Sequence, residues 1–440
     1  MNVKAYFSDE KTRFEELKGI EFKHNPTAEQ RVLNVYTDLK FQEIIGFGGA
    51  FTDASATNYA LMSDKTKKEF IDLLFDKEKG LGYTFCRGCI GSSDFAKDSY
   101  GFIEENDISL ETFDIFHDKQ EIIPMMKDAI KKAGKINLLC SPWSPPAFMK
   151  SNNQLNYGGK LKPEFYTLWA NFYVKFIKEY KNAGVEISYL TVQNEPMASQ
   201  TWESCEYTIE EELLFARDYL RPALNKAGLD TKILVWDHNK EHVYDYAKAI
   251  KEIEGVKDSI DGIGFHWYSG NHFENLNYAH YTLPEKLLVS TEFCCDIRNK
   301  GWGLALGYAN DIIGNLNNFM NASCDWNMVL DTSGAPFHWR RNGCNAVVLY
   351  NKEEDKIEKQ EHYYAMKHIS SFIKPGAIRL GTSTFNINVK VTAAQNENGE
   401  IVIVIVNNIE KEFPVLLRLD NFSADVTLTP KSITTLVVKQ

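Results

Sequence analysis

From about residue 41 onward one pattern of apolar and polar positions recurs: a short apolar run, a loop rich in polar and aromatic residues, then a stretch with apolar positions at helical spacing. The apolar runs fall at 43–47, 82–87, 136–141, 187–193, 232–237, 260–266, 286–291 and 322–330, which makes eight. Between them the spacing predicts helices over 65–77, 119–133, 163–182, 208–227 and 303–320. Ser63 and Asp64 precede the first helix, Pro163 opens the third, and Gly80, Gly134, Gly184 and Gly228 stand just past helix ends. The connection 270–284 carries the weakest helical pattern. Eight alternations of strand and helix allow a closed barrel or a doubly wound sheet. The glycine fingerprint of a dinucleotide-binding sheet is missing, because Gly46, Gly48 and Gly49 run on into Ala50-Phe51-Thr52-Asp53. The count of eight favours an α/β fold of the eight-stranded β/α (TIM) barrel type.

The last stretch changes period. Residues 385–391 alternate in twos, 396–399 read as a turn (Asn-Glu-Asn-Gly), and 401–406 resume as Ile-Val-Ile-Val-Ile-Val. This predicts an antiparallel β-domain, to which a strand-like run at 31–36 offers further strands. The chain therefore divides into N-terminal strands (1–40), a barrel (41–374) and a C-terminal β-domain (375–440), without tandem repeats or a low-complexity linker.

Charge and composition narrow the function. With 49 Lys plus Arg against 60 Asp plus Glu the net charge is −11, and no basic stripe compensates, so nucleic acid is not an expected partner. No apolar run approaches the roughly 18 residues that span a bilayer. Residues 1–14 are charged and lack the apolar segment of a secretion signal, so the expectation is a soluble, cytoplasmic protein. The eight cysteines are sparse and read as reduced, buried small hydrophobes. Cys86 and Cys89 form a C-x-x-C, but no second pair or histidine cluster completes a zinc site. No metal or cofactor is expected.

In a β/α barrel the chemistry belongs at the C-terminal ends of the strands. Here those ends carry Asp53, Arg87, Trp143, the pair Asn194 and Glu195, the pair Asp237 and His238, the run His266-Trp267-Tyr268, Glu292, and Trp326 with Asn327. Two carboxylates dominate. Glu195 precedes Pro196, which is expected to hold it extended and aim its side chain along the strand; Glu292 closes the apolar run before it. A carboxylate pair flanking a bond is what glycoside hydrolysis requires: one protonates the leaving oxygen, the other attacks the anomeric carbon or activates water. A Glu taken alone is far more often a surface charge, and the apolar strands behind both lower that reading here. Trp143, Trp267, Tyr268 and Trp326 offer ring faces to a pyranose, although an aromatic after a strand is as often simply core. Asp53, Asn194 and Asn327 suit sugar hydroxyls, with Asp53 equally readable as a helix cap. Arg87 suits a pairing that keeps a nucleophile ionised, and His266 and His238 are weaker signals. A metal-dependent hydrolase is disfavoured, since no H-x-H or converging histidine set is visible.

The segments Gly46-Phe47-Gly48-Gly49-Ala50-Phe51-Thr52-Asp53-Ala54-Ser55-Ala56, Ser141-Pro142-Trp143-Ser144-Pro145-Pro146, Gln193-Asn194-Glu195-Pro196, His266-Trp267-Tyr268, Ser290-Thr291-Glu292 and Asp325-Trp326-Asn327 together resemble glycoside hydrolase family 30, the family of lysosomal glucosylceramidase. The likeness runs in the family's order from about residue 30 to Gly381. It implies a barrel with a β-sandwich built from both chain ends, and retaining hydrolysis of a β-glycosidic bond. It further implies Glu195 as general acid/base, raised in pKa by the charge of Glu292, and Glu292 as nucleophile. Asp53, Trp143, Asn194, Tyr268 and Trp326 match positions lining the sugar subsite, and Arg87 matches the arginine beside the nucleophile; His266 and Asn327 are placed in support. The lysosomal member's N-terminal disulfides have no counterpart here, which agrees with a reduced compartment. The expected partner is a small β-glycoside, with an exo-acting β-glucosidase first and a β-xylosidase, β-fucosidase or β-1,6-glucanase behind it. The segments 150–162 and 198–207 are expected to shape the aglycone side.

Overall fold

In a computed structural model that describes residues 1–439, eight parallel strands close into a barrel. They are β1 (Gly46–Phe51), β2 (Phe85–Ile90), β3 (Asn137–Pro142), β4 (Tyr189–Thr191), β5 (Lys232–Asn239), β6 (Gly262–His266), β7 (Leu287–Glu292) and β8 (Ala322–Asn327), and β8 pairs with β1 to complete the ring. The strands are buried nearly throughout, which is why they read as apolar runs rather than alternations. Phe85, Leu139, Tyr189, Leu234, Val289 and Cys324 pack together inside the ring. Close approach of β1 to β2 requires glycine at Gly48, where a Cβ would stand 1.8 Å from the Phe85 carbonyl oxygen.

The helices follow their end signals. Thr52 caps Asp53–Leu61 by accepting the Ser55 N–H, and Thr208 with Glu211 forms a capping box on Ile209–Phe215. Ile122–Ala133 turns Ile122, Ile123, Met125, Met126 and Ala129 inward and ends at Gly134 with φ +81°. The weakly patterned connection 270–284 holds the helix Phe273–Thr282. Among the described residues, no helix is long and apolar enough to cross a membrane.

Strands from both chain ends share one ten-stranded sheet. Asn2–Ser8 pairs antiparallel with Ser432–Lys439, from Asn2 opposite Lys439 to Ser8 opposite Ile433. Val32–Ile44 lies between Ala377–Thr384 and Phe413–Leu419. The run Ile401–Asn407 is buried on both faces. Ile401, Ile403 and Ile405 join Leu33, Leu417 and Leu436 in the core of the β-domain, while Val402, Val404 and Val406 belong to the core of the barrel. The β-domain is thus packed onto the barrel by alternate residues of one strand.

Several boundaries differ from the sequence expectation: β2 begins and ends three residues later than the run 82–87, so Arg87 lies within it, β4 is shorter than 187–193, and three further differences have a visible cause. Residues 43 and 44 end the long strand Val32–Ile44, and β1 begins only after the chain bends at Gly46. The run 322–330 splits because Ser55 Oγ accepts the N–H groups of both Met328 and Val329; Val329–Asp331 then joins a small sheet with Val348–Asn351 and Lys356–Lys359. Residues 386–388 form a turn, in which Asn386 Oδ1 accepts the Asn388 N–H at 2.9 Å, so that strand begins at Val389.

Candidate active site

Arg87, on β2, is the centre of the C-terminal face. Its side chain is fully buried, and its donors are spent on four strand-end residues. Nη1 donates to Glu292 Oε2 at 2.6 Å, Nη2 to Asp237 Oδ2 at 2.7 Å and Asn194 Oδ1 at 2.9 Å, and Nε to Ser141 Oγ at 3.2 Å. The guanidinium lies 4.8 Å from the Trp143 ring and 5.5 Å from the Trp326 ring, which stack on each other at 5.1 Å. A buried cation with two carboxylate partners and an amide fixes β2, β4, β5 and β7 relative to one another at the point where chemistry is expected.

Above this network a pocket of about 290 Å³ opens, with Glu195 and Glu292 both in its wall. The Tyr268 hydroxyl donates to Glu292 Oε1 at 2.9 Å, so both oxygens of that carboxylate accept hydrogen bonds. Glu195 stands among histidines, with Oε1 3.2 Å from His266 Nδ1 and 3.7 Å from His238 Nδ1. The second nitrogen of His266, Nε2, lies 3.1 Å from Asp237 Oδ1, and Thr191 donates to Asp237 Oδ2 at 2.7 Å.

Backbone irregularities aim these groups. Glu195 is not extended as the following proline led one to expect: φ is +49°, with its N–H donating to Asp237 O at 3.0 Å and its carbonyl accepting from Ala198. The turn begun by these two bonds outweighs the proline's preference. Trp236 and Asp237 also have positive φ, +74° and +50°, and the register with β6 slips by one residue there. This bulge turns the Asp237 carboxylate inward, to Arg87 and His266. Buried Glu212 secures it by accepting the Trp236 N–H at 3.0 Å.

The charges set the protonation pattern. Burial disfavours the imidazolium of His266, but the charge of Glu292 and the hydrogen bonds to Asp237 and Glu195 outweigh it and push its pKa up to about 9. Near neutral pH His266 therefore carries both protons and donates to both carboxylates. Burial likewise opposes ionisation of Glu195, yet the His266 hydrogen bond and the charge of His238 hold its pKa below the ordinary value. The expected upward shift of Glu195 is thus reversed, because the proton rests on its histidine partner. Burial raises Glu292, with His266 and Arg87 pulling against it and the charge of Glu195 adding to the rise.

Residues 44–373 match the model of the glycosyl hydrolase family 30 TIM-barrel domain, and residues 376–436 match that family's beta sandwich domain. The chain belongs to glycosyl hydrolase family 30. This family 30 hydrolase is 28% identical to the lysosomal acid glucosylceramidase of Mus musculus over 97% of the present chain and 86% of the mouse protein. Among solved structures it is similar to SrfJ from Salmonella typhimurium, with 32% identity, both chains covered in full and a TM-score of 0.97. It is also similar to the endo-β1,6-glucanase BT3312, with 27% identity, both chains again covered in full and a TM-score of 0.90.

In this family 30 chain Trp143, Asn194, Glu195, Tyr268, Glu292 and Trp326 meet at one pocket, with Arg87 and His266 directly behind it. Asp53 and Asn327 do not reach it, against expectation. Asp53 begins a helix, where its carboxylate accepts the Lys97 N–H at 2.9 Å and faces His117 at 3.5 Å. Asn327 Oδ1 accepts from the capping hydroxyl of Thr52 at 2.6 Å. Trp267 packs on Phe293 and Tyr308 in the core. The pocket's other carboxylate is Asp94, four residues past the end of β2, raised in pKa by burial and paired with Arg340 from the loop after β8. Neither stands at a strand end, so the strand-end rule passes over both. Asp237 was visible at a strand end, but only the bulge reveals that it faces inward. The histidines also converge more than the sequence indicated: ligand atoms of Glu195, His238 and His266 lie within 4.8 Å of one another, a spacing that suits a cation. His266 already spends both nitrogens on carboxylates.

Proposed function

We propose that this family 30 hydrolase is a retaining, exo-acting β-glucosidase of glucosylceramidase type. The observation that carries the reading is the placement of Glu195 and Glu292 in one pocket with opposite surroundings. Burial and the charge of Glu195 raise the pKa of Glu292, but Arg87 and His266 pull against that rise, and a buried cation and a hydroxyl on its two oxygens favour the ionised carboxylate that attacks an anomeric carbon. Glu195 is hydrogen-bonded to a protonated histidine, the setting of a group that must give up a proton and regain it. In the first step Glu292 attacks the anomeric carbon, while Glu195, resupplied through His266, protonates the departing oxygen. In the second step Glu195 takes a proton from water, which cleaves the glycosyl ester and releases the sugar with its configuration retained. The nearly buried Trp143–Trp326 stack forms part of the pocket wall, and Asn194, Asp94 and Arg340 offer the hydroxyl partners.

The pocket's size supports single-sugar release, since about 290 Å³ falls just below the usual range of ligand sites, roughly 300–1,000 Å³. Two loops shape the aglycone side. Segments 150–162 and 198–207 are knit together, with Tyr157 N–H donating to Gln200 O at 2.7 Å and Ser204 N–H to Leu155 O at 3.0 Å, and Gln200 and Trp202 project into the pocket wall. The likeness to an endo-β1,6-glucanase supports a second reading, cleavage within β-1,6-linked glucan. Aryl β-glycosides of glucose, xylose, fucose and galactose, glucosylceramide in micelles and a β-1,6-glucan separate the two. Release of glucose from the first and fifth, with the β-anomer seen first by NMR, is expected. Internal cleavage of the glucan without action on the glucosides overturns the exo reading.

A further inference from the structure

The sugar pocket has a thiol in its wall. Cys294, two residues past Glu292, is partly exposed there, and its Sγ lies 3.3 Å from the Sγ of buried Cys344, which comes from the loop after β8. The backbone brings the two sulfurs together: Asn345 N–H donates to Cys295 O at 2.8 Å, Ile297 N–H to Gly343 O at 3.1 Å, and Asp296 bridges Cys344. A disulfide needs about 2.05 Å between sulfurs, so the pair has little more than an ångström to close. Burial as small hydrophobes accounts for Cys86, Cys89, Cys140, Cys205 and Cys324. It does not account for Cys294, whose Sγ lies 3.3 Å from the Tyr268 hydroxyl that donates to Glu292. Cys344 has its own link to the pocket, because Arg340, the partner of Asp94, donates to its Sγ at 3.8 Å.

We propose that Cys294 and Cys344 are a reversible oxidation site whose disulfide turns the hydrolase down. The oxidant is a peroxide that enters the pocket. The Cys294 sulfur attacks one peroxide oxygen while its thiol proton passes to the other, the O–O bond breaks, and the protonated oxygen leaves as water. The Cys344 sulfur then attacks the sulfenic acid on Cys294 and expels its hydroxyl as a second water. Two thiols lose two electrons, and one hydrogen peroxide is reduced to two waters; a dithiol reverses the change by exchange. Closing the contact draws Cys294 away from Tyr268 and removes the thiol proton between them, which disturbs the hydroxyl that positions Glu292. It also ties the loop carrying Arg340 to the strand end carrying Glu292. Displacement of catalytic groups by an ångström costs on the order of 100-fold, and a drop of about tenfold or more in kcat/KM is expected.

The test exposes the purified full chain to graded hydrogen peroxide, alkylates free thiols, maps cysteine peptides by mass spectrometry and follows aryl β-glycoside hydrolysis in parallel. A Cys294–Cys344 cross-link that appears with the loss of activity, with both reversed by dithiothreitol, is the expected result. The Cys344→Ser variant should hydrolyse normally and lose the reversible peroxide sensitivity. Absence of the cross-link where other cysteines are oxidised, a cross-link with undiminished hydrolysis, or equal reversible inactivation of Cys344→Ser would each overturn the proposal. The cross-link is read by mass, so a wrong substrate assignment leaves that arm intact, and wild-type mapping decides if the variant fails to fold.

Discussion

His266→Asn tests the proton held behind the acid. In the folded protein the imidazolium donates to Glu195 and Asp237 at 3.2 and 3.1 Å, and its pKa rises from 6.5 to about 9. At 1.36 kcal/mol per pH unit that interval corresponds to about 3 kcal/mol of stability. Because the folded-state pKa is the higher one, the contribution is complete below pH 6.5 and is lost as pH rises through about 9. Asp237 is shifted the other way, downward, so its linkage acts at acid pH and leaves this window clear. Urea unfolding of wild type and His266→Asn at pH 5.5, 7.5 and 9.5 should show the stability gap shrinking by about 3 kcal/mol across the range. The rate profile gives a second readout. With a poor leaving group, the alkaline limb of kcat/KM should move to lower pH in the variant, since the proton then rests on Glu195 alone. With a dinitrophenyl leaving group, which needs no acid, wild type and variant should keep the same limb. A stability gap independent of pH, together with unmoved profiles, would refute the proton's placement on His266.

Glu292→Gln should abolish turnover while leaving the thermal melt near wild type, and Glu195→Gln should spare only activated aryl glycosides; near-normal hydrolysis by Glu292→Gln would sink the nucleophile assignment. Arg87→Leu strips Asp237 and Glu292 of their buried cation, and unfolding by urea should show a loss of about 3–5 kcal/mol. Gly48→Ala forces β1 from β2 at the Phe85 carbonyl and should cost about 1–3 kcal/mol or more, read as a lowered Tm. Chelation with EDTA should leave hydrolysis unchanged; a loss restored by zinc would instead mark Glu195, His238 and His266 as ligands.

How far the sequence carries is clearest at the strand ends. Burial on both faces makes the barrel strands read as apolar runs, so their number and order are legible, and with them the positions of Glu195, Glu292 and Arg87. What periodicity does not tell is which of two adjacent strand-end side chains turns inward. Asn327 and Asp53 face the capping turn and His117, while Asp237 enters the pocket network through a bulge that no local residue pattern announces. Asp94 and Arg340 lie in loops, where long-range pairing alone brings them into the pocket wall. The reversed shift of Glu195 has the same origin: it depends on His266, 71 residues away in sequence, standing between two carboxylates.

The pairing of the first strand with the last has a mechanical consequence. Asn2 lies opposite Lys439, so a force applied to the two termini would meet the ladder from its open end and load its seven register pairs one after another, as a zipper is opened. The same adjacency makes the chain nearly a ring. A short peptide joining the termini, with new ends cut at the Gly399 hairpin, would keep the strand order around both the barrel and the β-domain.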